Sequence, residues 1–260
     1  MKIVRLLDLL ISLDRRVTRK EYYSRILCGE IYVDGQCVRD AARQVPDEAQ
    51  IEYRPLRRFV SRGGEKLADV LQRWSINVRG LGFIDAGAST GGFTDCLLQH
   101  GAARVIAVEV GRNQLDYRLR SDSRVIVYED TNIMSLGTLP FVPDAAVADL
   151  SLRSLRKAAA RLLDLISGPW IITLVKPQYE KHILGEAGES GTSWREHIPI
   201  ILETLFLDLR EEGVFASRIA AAQPRGRKGN PEFFALLTAE EDPMHADLKS
   251  MIAKAASQDS

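Results

Sequence analysis

The run Asp85-Ala-Gly-Ala-Ser-Thr-Gly-Gly-Phe-Thr-Asp95 limits the folds open to this chain more than any other stretch. Phe83 and Ile84 open an apolar strand that ends on a carboxylate, and Phe93 to His100 has the spacing of a helix. Between them, Gly87 and Gly91 accept backbone angles that a Cβ would obstruct. A strand that passes through closely spaced glycines into a helix is the entry turn of an α/β domain, whose ligand crevice lies beyond the carboxyl ends of the strands. A ligand there could rest directly on main chain.

The glycine pattern narrows the ligand. A dinucleotide fold uses G-x-G-x-x-G so that a pyrophosphate can sit on a helix N-terminus, whereas this chain has G-x-x-x-G-G with Asp85 two residues before the first glycine. An anion would be repelled by that carboxylate, and a cationic sulfonium bearing an amino group would not. The loop therefore favours S-adenosylmethionine over NAD, with Asp85, Gly87, Ser89, Thr90, Gly91 and Gly92 as its contacts. A tight turn in an ordinary α/β domain is the plain alternative.

At 260 residues the chain can build one or two domains with a real core. Its 35 basic and 35 acidic residues give a formal net charge of zero, so any nucleic-acid contact must come from local patches. Cys28, Cys37 and Cys96 have no metal-ligand spacing and read as reduced thiols, which favours the cytosol; no metal site is expected. The apolar stretch Leu6 to Leu13 is interrupted by Asp8, is followed by Asp14 and has no cleavage site after it. No stretch approaches a membrane span. The expectation is a cytoplasmic protein that is not membrane-bound.

Residues 1–53 read as helix, helix and short strands. Leu6, Leu9, Leu10 and Leu13 have helical spacing, Thr18 can cap a second helix carrying Tyr22, Ile26 and Leu27, and Gly29 ends it. Ile31 to Val38 is a hairpin turning at Asp34-Gly35, with Val45 and Ile51 to Tyr53 as further strands. Through Arg5, Leu9-Leu10, Thr18-Arg19 and Ile26 to Gly35, this segment resembles the S4 RNA-binding domain. Asp8 lies one place later than that module's usual acid, and Tyr22 stands where a small residue is common. Arg15, Arg16, Arg19, Lys20 and Arg25 are read as lining one helical surface that meets RNA phosphates, or else as a solvated face. Residues 54–60 form a basic linker in which Arg57 and Arg58, with Arg62 just beyond, could guide RNA.

Residues 61–240 alternate strands and helices, as a mostly parallel doubly wound sheet requires. Val214 to Ile219 and Phe233 to Leu237, with no helix between them, suggest an antiparallel pair at one edge, typical of a Rossmann-like methyltransferase. The polar segment from Gln178 to Trp194 is a candidate lid or substrate loop. Residues 241–260 read as a polar tail that frays.

Residues distant in sequence would meet at the strand ends. Glu109, followed by Val110, ends the second strand, where a carboxylate can accept hydrogen bonds from both hydroxyls of a ribose. Asp130, with Asn132 nearby, could accept from an adenine amino group. Asp149 and Lys176 each follow an apolar strand, and a lysine so placed is expensive unless paired or functional. A purely structural ion pair between them is the alternative.

Val60 to Leu67, Asp85 to Thr94, Gly101 to Val105, Asp149-Leu-Ser151, Leu174 to Gln178 and Gly229 to Phe233 together resemble the TlyA family, ribosomal RNA ribose 2′-O-methyltransferases often labelled haemolysins. The resemblance runs in order along nearly the whole chain. It implies S-adenosylmethionine as cofactor, ribosomal RNA or a ribosomal subunit as partner, cytidine as target, and a catalytic tetrad of Lys66, Asp149, Lys176 and Glu232. Lys176, desolvated and close to cationic Lys66, would act as general base on a ribose hydroxyl, while the two acids orient the amines and the hydroxyl. Three departures stand out: Leu152-Arg153 after Asp149, Asp130 where relatives carry a basic residue, and Arg112-Asn113 in place of Tyr-Gly. They put cofactor and RNA affinity in question. Two rivals follow, an RNA-binding assembly factor without catalysis and a membrane-lytic protein, the latter with no apolar span or basic amphipathic helix to support it.

Overall fold

The computed structural model describes residues 2–54, 58–150, 155–183, 194–226, 229–242 and 247–258, apart from the side chains at 24 and 28. The chain divides into two compact units, Met1–Arg58 and Phe59–Ser260.

The first unit runs β1 (Ile3–Arg5), α1 (Leu6–Leu13), α2 (Arg19–Cys28), β2 (Ile31–Val33), β3 (Gln36–Cys37), β4 (Gln44–Pro46) and β5 (Ile51–Tyr53). Thr18 caps α2 by accepting the Glu21 N–H, and Gly29 ends it in the left-handed region at φ 79°. The β2–β3 hairpin turns at Asp34-Gly35, both with positive φ, as a two-residue primed turn demands. β5 pairs with the other edge of β2, and β1 pairs with β4, a pairing the sequence pattern did not suggest. Leu6, Leu10, Tyr22, Ile26 and Ile31 are fully buried at the centre of this unit's core. Tyr22 fills its unusual position by burying its ring while its hydroxyl donates to the Asp14 carbonyl.

The second unit runs α3 (Arg62–Arg73), β6 (Gly82–Ala86), α4 (Gly92–Gln99), β7 (Arg104–Val108), α5 (Tyr117–Arg120), β8 (Val125–Tyr128), β9 (Ala145–Ala148), α6 (Ala158–Leu165), β10 (Trp170–Val175), α7 (Ile198–Glu211), β11 (Phe215–Ala221), β12 (Phe233–Thr238) and α8 (Leu248–Ser257). Its seven strands take the order β11-β12-β10-β9-β6-β7-β8. β8, β7, β6, β9 and β10 are parallel, and β12 lies antiparallel between β10 and β11. The reversed strand is thus one place in from the edge. Each face of the sheet carries its own apolar core, one built with α6 and α7 and the other with α3 and α4.

Leu248–Ser257 form a helix where a fraying polar tail was expected. Asp247 caps α8 by accepting the Ser250 N–H, and Ile252 and Ala255, three apart on one helical face, are buried against the core that β11 and α7 share. The abundant charge of this segment hid a two-residue apolar stripe. Of the polar connection after β10, residues 184–193 lie outside the described residues, while Pro177–Tyr179 and Trp194–His197 form short 3-10 turns at its two ends.

Candidate active site

The glycine turn after β6 is shaped by packing as much as by any ligand. Gly91 has φ 92°, and a Cβ there would meet Leu115 at 2.8 Å and Leu119 closer still. A Cβ on Gly92 would strike Ser61 Oγ and lie 2.9 Å from the Gly64 nitrogen, so this glycine lets α4 approach the start of α3. One on Gly87 would meet the Asp149 carbonyl oxygen at 2.6 Å. The turn therefore brings the ends of β6 and β9 together, leaving Ser89 and Thr90 exposed.

Asp85 does not project into open crevice as expected. It is fully buried, and its Oδ2 accepts the N–H and the hydroxyl of Thr94 at 2.9 and 2.6 Å, tying β6 to the first turn of α4. Its Oδ1 is buried and accepts no hydrogen bond. Burial pushes this carboxyl up to about 7; the Thr94 hydrogen bonds oppose the rise, and the charges of Asp149 and Glu109 add to it. Three carboxylates thus press on one another around the mouth of the sheet. That field suits a ligand carrying an ammonium and a sulfonium and disfavours a pyrophosphate.

Glu109 follows β7 and is buried, its oxygens accepting the N–H groups of Ser89 and Gly111 at 2.9 and 2.8 Å. The carboxylate is thereby held in place, with lone pairs left for ribose hydroxyls. Beside it, Val110 presents an exposed apolar side chain. Two departures noted separately in the sequence meet here, for Arg112 and Asp130 form an exposed ion pair. The pair holds the Asp130 carboxyl below its ordinary range, so this acid already has a partner other than an adenine amino group. Asn132 accepts the Met134 N–H and caps a short 3-10 turn. Glu129 organises the adjoining loop: burial would raise its carboxyl, but the N–H groups of Asn113, Gln114 and Leu115 and the Arg120 guanidinium hold it at about 2.

The four residues of the expected tetrad form two ion pairs. Lys66, one turn into α3, pairs with Glu232, both side chains being less than a tenth exposed. Lys176 pairs with Asp149 Oδ1, their side chains 11% and 30% exposed. Val175, the last residue of β10, stands opposite Phe233, the first of β12, so Lys176 and Glu232 flank the same end of this antiparallel pair. Asp149 follows β9, the parallel neighbour of β10, and its N–H is held by the Ala86 carbonyl. Each lysine therefore faces its own carboxylate, rather than the two amines pressing on each other.

The expected phosphate-binding residues are less regular. Arg15 and Arg16 lie on the connection before α2, because Thr18 starts the helix, and Arg19, Lys20 and Arg25 point around it rather than along one side. Arg16 pairs with Asp14, Arg19 with Asp8, and Arg25 with Glu21 and Glu30, while Arg15 and Lys20 are exposed. Arg58 is exposed at the end of the first unit, and Arg62 opens α3 half-buried. Arg57, Leu152 and Arg153 lie outside the described residues. Thr94, which anchors Asp85, and Glu129, which holds the loop beside Glu109, escaped the sequence reading; the signal for Thr94 was a hydroxyl residue in the first turn after the glycines.

A mostly parallel seven-stranded sheet with one reversed strand inside its edge, carrying acids and lysines at the strand ends, defines a Rossmann-like methyltransferase. Residues 59–192 match the FtsJ-like methyltransferase family. The chain is 36% identical over 224 residues to Hemolysin A of Brachyspira hyodysenteriae, covering 84% of this chain and 92% of that one. It is also 36% identical over 234 residues to the 16S/23S rRNA (cytidine-2'-O)-methyltransferase TlyA of Mycobacterium tuberculosis, covering 86% of each. A solved hemolysin-labelled structure from Streptococcus thermophilus superposes with a TM-score of 0.69 at 29% identity, covering 99% of this chain and 97% of that one. The chain belongs to the TlyA group of the FtsJ-like methyltransferase family. Among the described residues, no helix is long and apolar enough to cross a membrane, and no cluster of metal-ligating side chains occurs.

Proposed function

We propose that this protein transfers a methyl group from S-adenosylmethionine to the ribose 2′-hydroxyl of a cytidine in ribosomal RNA. What supports the reading is that two lysine–carboxylate ion pairs, Lys66–Glu232 and Lys176–Asp149, involve residues at the ends of the neighbouring strands β9, β10 and β12, one pair being almost completely buried. The donor, when bound, supplies an electrophilic methyl group on a sulfonium. Asp85, Glu109 and Asp149 supply the negative field for its cationic end, the main chain from Gly87 through Ser89, Thr90 and Gly91 to Gly92 its bed, Glu109 the acceptor for its ribose, and Val110, Asp130 and Asn132 the border of its adenine.

The acceptor hydroxyl is a poor nucleophile until its proton leaves. Lys176 Nζ is the group that takes that proton, and Asp149 orients the lysine. Lys66 and Glu232 hold the neighbouring charge pair that fixes where the ribose oxygen sits. General-base catalysis contributes about 10² to 10⁴ in rate, so alignment of oxygen and methyl group must supply much of the rest.

The first unit serves as an S4-like RNA-binding module over residues 1–53, with residues 54–60 as its basic linker. Its helix order, capped α2 and Asp34-Gly35 hairpin support that assignment. The partner is a ribosomal subunit, and the cytoplasm is where that partner is found.

Incubating the protein with tritiated S-adenosylmethionine and isolated subunits, then mapping the labelled nucleotide, tests the reaction. Lys176→Ala should lower transfer at least about a hundredfold while cofactor binding, read by calorimetry, stays within a few-fold. Undiminished turnover by the variant would remove Lys176 from the chemistry.

A further inference from the structure

Glu129 follows β8, and its carboxylate reaches across to the loop that follows the neighbouring strand β7. Its Oε2 accepts the Asn113 N–H at 2.8 Å, and its Oε1 accepts the N–H groups of Gln114 and Leu115 at 2.9 and 3.3 Å and Arg120 Nη2 at 2.6 Å. Successive main-chain N–H groups that converge in this way make an anion-binding concavity, and here the anion is a side chain of the protein itself. Asn113 lies in the left-handed region at φ 53°, which a residue other than glycine keeps only where its surroundings hold it. The Glu129 carboxylate is what holds it.

The loop so anchored is tied in turn to the proposed cofactor bed. Ser89 Oγ donates to Gln114 Oε1 at 3.2 Å, and the Asp116 N–H donates to the Thr90 carbonyl at 3.2 Å. The Gln114 side chain lies across Gly111, where a Cβ would strike its amide group. Gly111 and Ser89 are the two residues whose N–H groups hold Glu109, one on each carboxylate oxygen. Each oxygen therefore keeps a lone pair for a ribose hydroxyl, aimed by a donor from the loop on one side and from the glycine turn on the other. Ser89 is itself left-handed at φ 49°, so it too depends on its neighbours.

We propose that Glu129 is a positioning residue for the cofactor ribose, acting through Gln114, Gly111 and Ser89 on the carboxylate of Glu109. The proposal deepens the reading of the cofactor site given above and rests on it.

Glu129→Gln puts an amide N–H where an acceptor oxygen was, so at least one donor of the loop loses its partner. Calorimetry should show the Kd for S-adenosylhomocysteine rising about tenfold or more, and kinetics the same rise in KM for S-adenosylmethionine, while kcat at saturating cofactor and KM for ribosomal subunits stay within about threefold. A folded variant that binds cofactor as tightly as wild type overturns the proposal. The 3′-deoxy analogue of S-adenosylhomocysteine separates positioning from general support of the fold. Wild-type protein should bind it about tenfold more weakly than the parent compound, and Glu129→Gln less than about threefold more weakly, because the acceptor for that hydroxyl is already misaligned. Equal losses in the two proteins, or no loss in wild type, overturn the proposal. Gln114→Met keeps every main-chain donor to Glu129 and removes only the acceptor for Ser89, so it serves even where Glu129→Gln fails to fold. It should weaken S-adenosylhomocysteine binding about threefold to tenfold and blunt the discrimination against the 3′-deoxy analogue, and unchanged binding overturns the route through Ser89. Wild-type protein that binds cofactor with this discrimination yet methylates no ribosomal RNA supports the role of Glu129 and brings down only the RNA reading.

Discussion

Replacing Asp85 with asparagine should change the slope of stability with pH. The carboxyl is fully buried, and burial raises it from the ordinary 3.8 to about 7. Between those values the folded protein holds a proton that the unfolded chain has released, so rising pH favours unfolding. The penalty starts above the lower value and is complete above the higher one. At about 1.4 kcal/mol per pH unit, the full penalty is about 4 kcal/mol, and about 3 kcal/mol of it develops between pH 5 and pH 8. Asparagine does not ionise, and its oxygen can still accept both Thr94 donors. Its amide group would occupy the place of the unpartnered Oδ1 at a roughly pH-independent cost of about 1–3 kcal/mol. Whatever that offset, Asp85→Asn should gain about 3 kcal/mol relative to wild type from pH 5 to pH 8. Urea unfolding without cofactor, across a pH series and with the denaturant slope checked for constancy, measures the difference directly. Parallel stability curves for the two proteins would refute the assignment of a proton-holding carboxyl at the end of β6.

Glu232→Gln should lose about 3–5 kcal/mol of stability because it leaves the buried Lys66 amine without its counter-charge, and adding Lys66→Met should recover most of that loss. A single variant within about 1 kcal/mol of wild type in urea unfolding would show that the pair is not shielded from water. Ile252→Ala should cost about 2–5 kcal/mol, since its side chain is buried under α8. An unchanged melting temperature would return the last residues to the frayed tail their composition suggested.

Much of the proposed catalytic core is legible in the sequence. The apolar run Ile171 to Val175 followed by Lys176, the run Ala145 to Ala148 followed by Asp149, and the glycine turn after Ile84 each mark a strand end, because consecutive apolar residues make a strand buried on both faces. The Asp34-Gly35 turn was equally local. Glu129 stood in plain view after β8, yet a carboxylate beyond a strand end is ordinary until its partners are known.

What sequence alone determined was therefore local: the alternation of strands and helices, the capped α2, the hairpin, and which charged residues end which strands. These follow from side-chain periodicity and backbone freedom within a few residues. Only the tertiary structure decided that β12 inserts between β10 and β11, which puts Glu232 and Lys176 at the same end of the β10–β12 pair, and that the four charged residues divide into two ion pairs. It likewise decided that Asp85 turns inward to Thr94, that Arg112 and Asp130 meet across two loops, and that α8 packs as a helix. Strand order and pairing register depend on which apolar faces fit together across long separations. No local pattern contains that information.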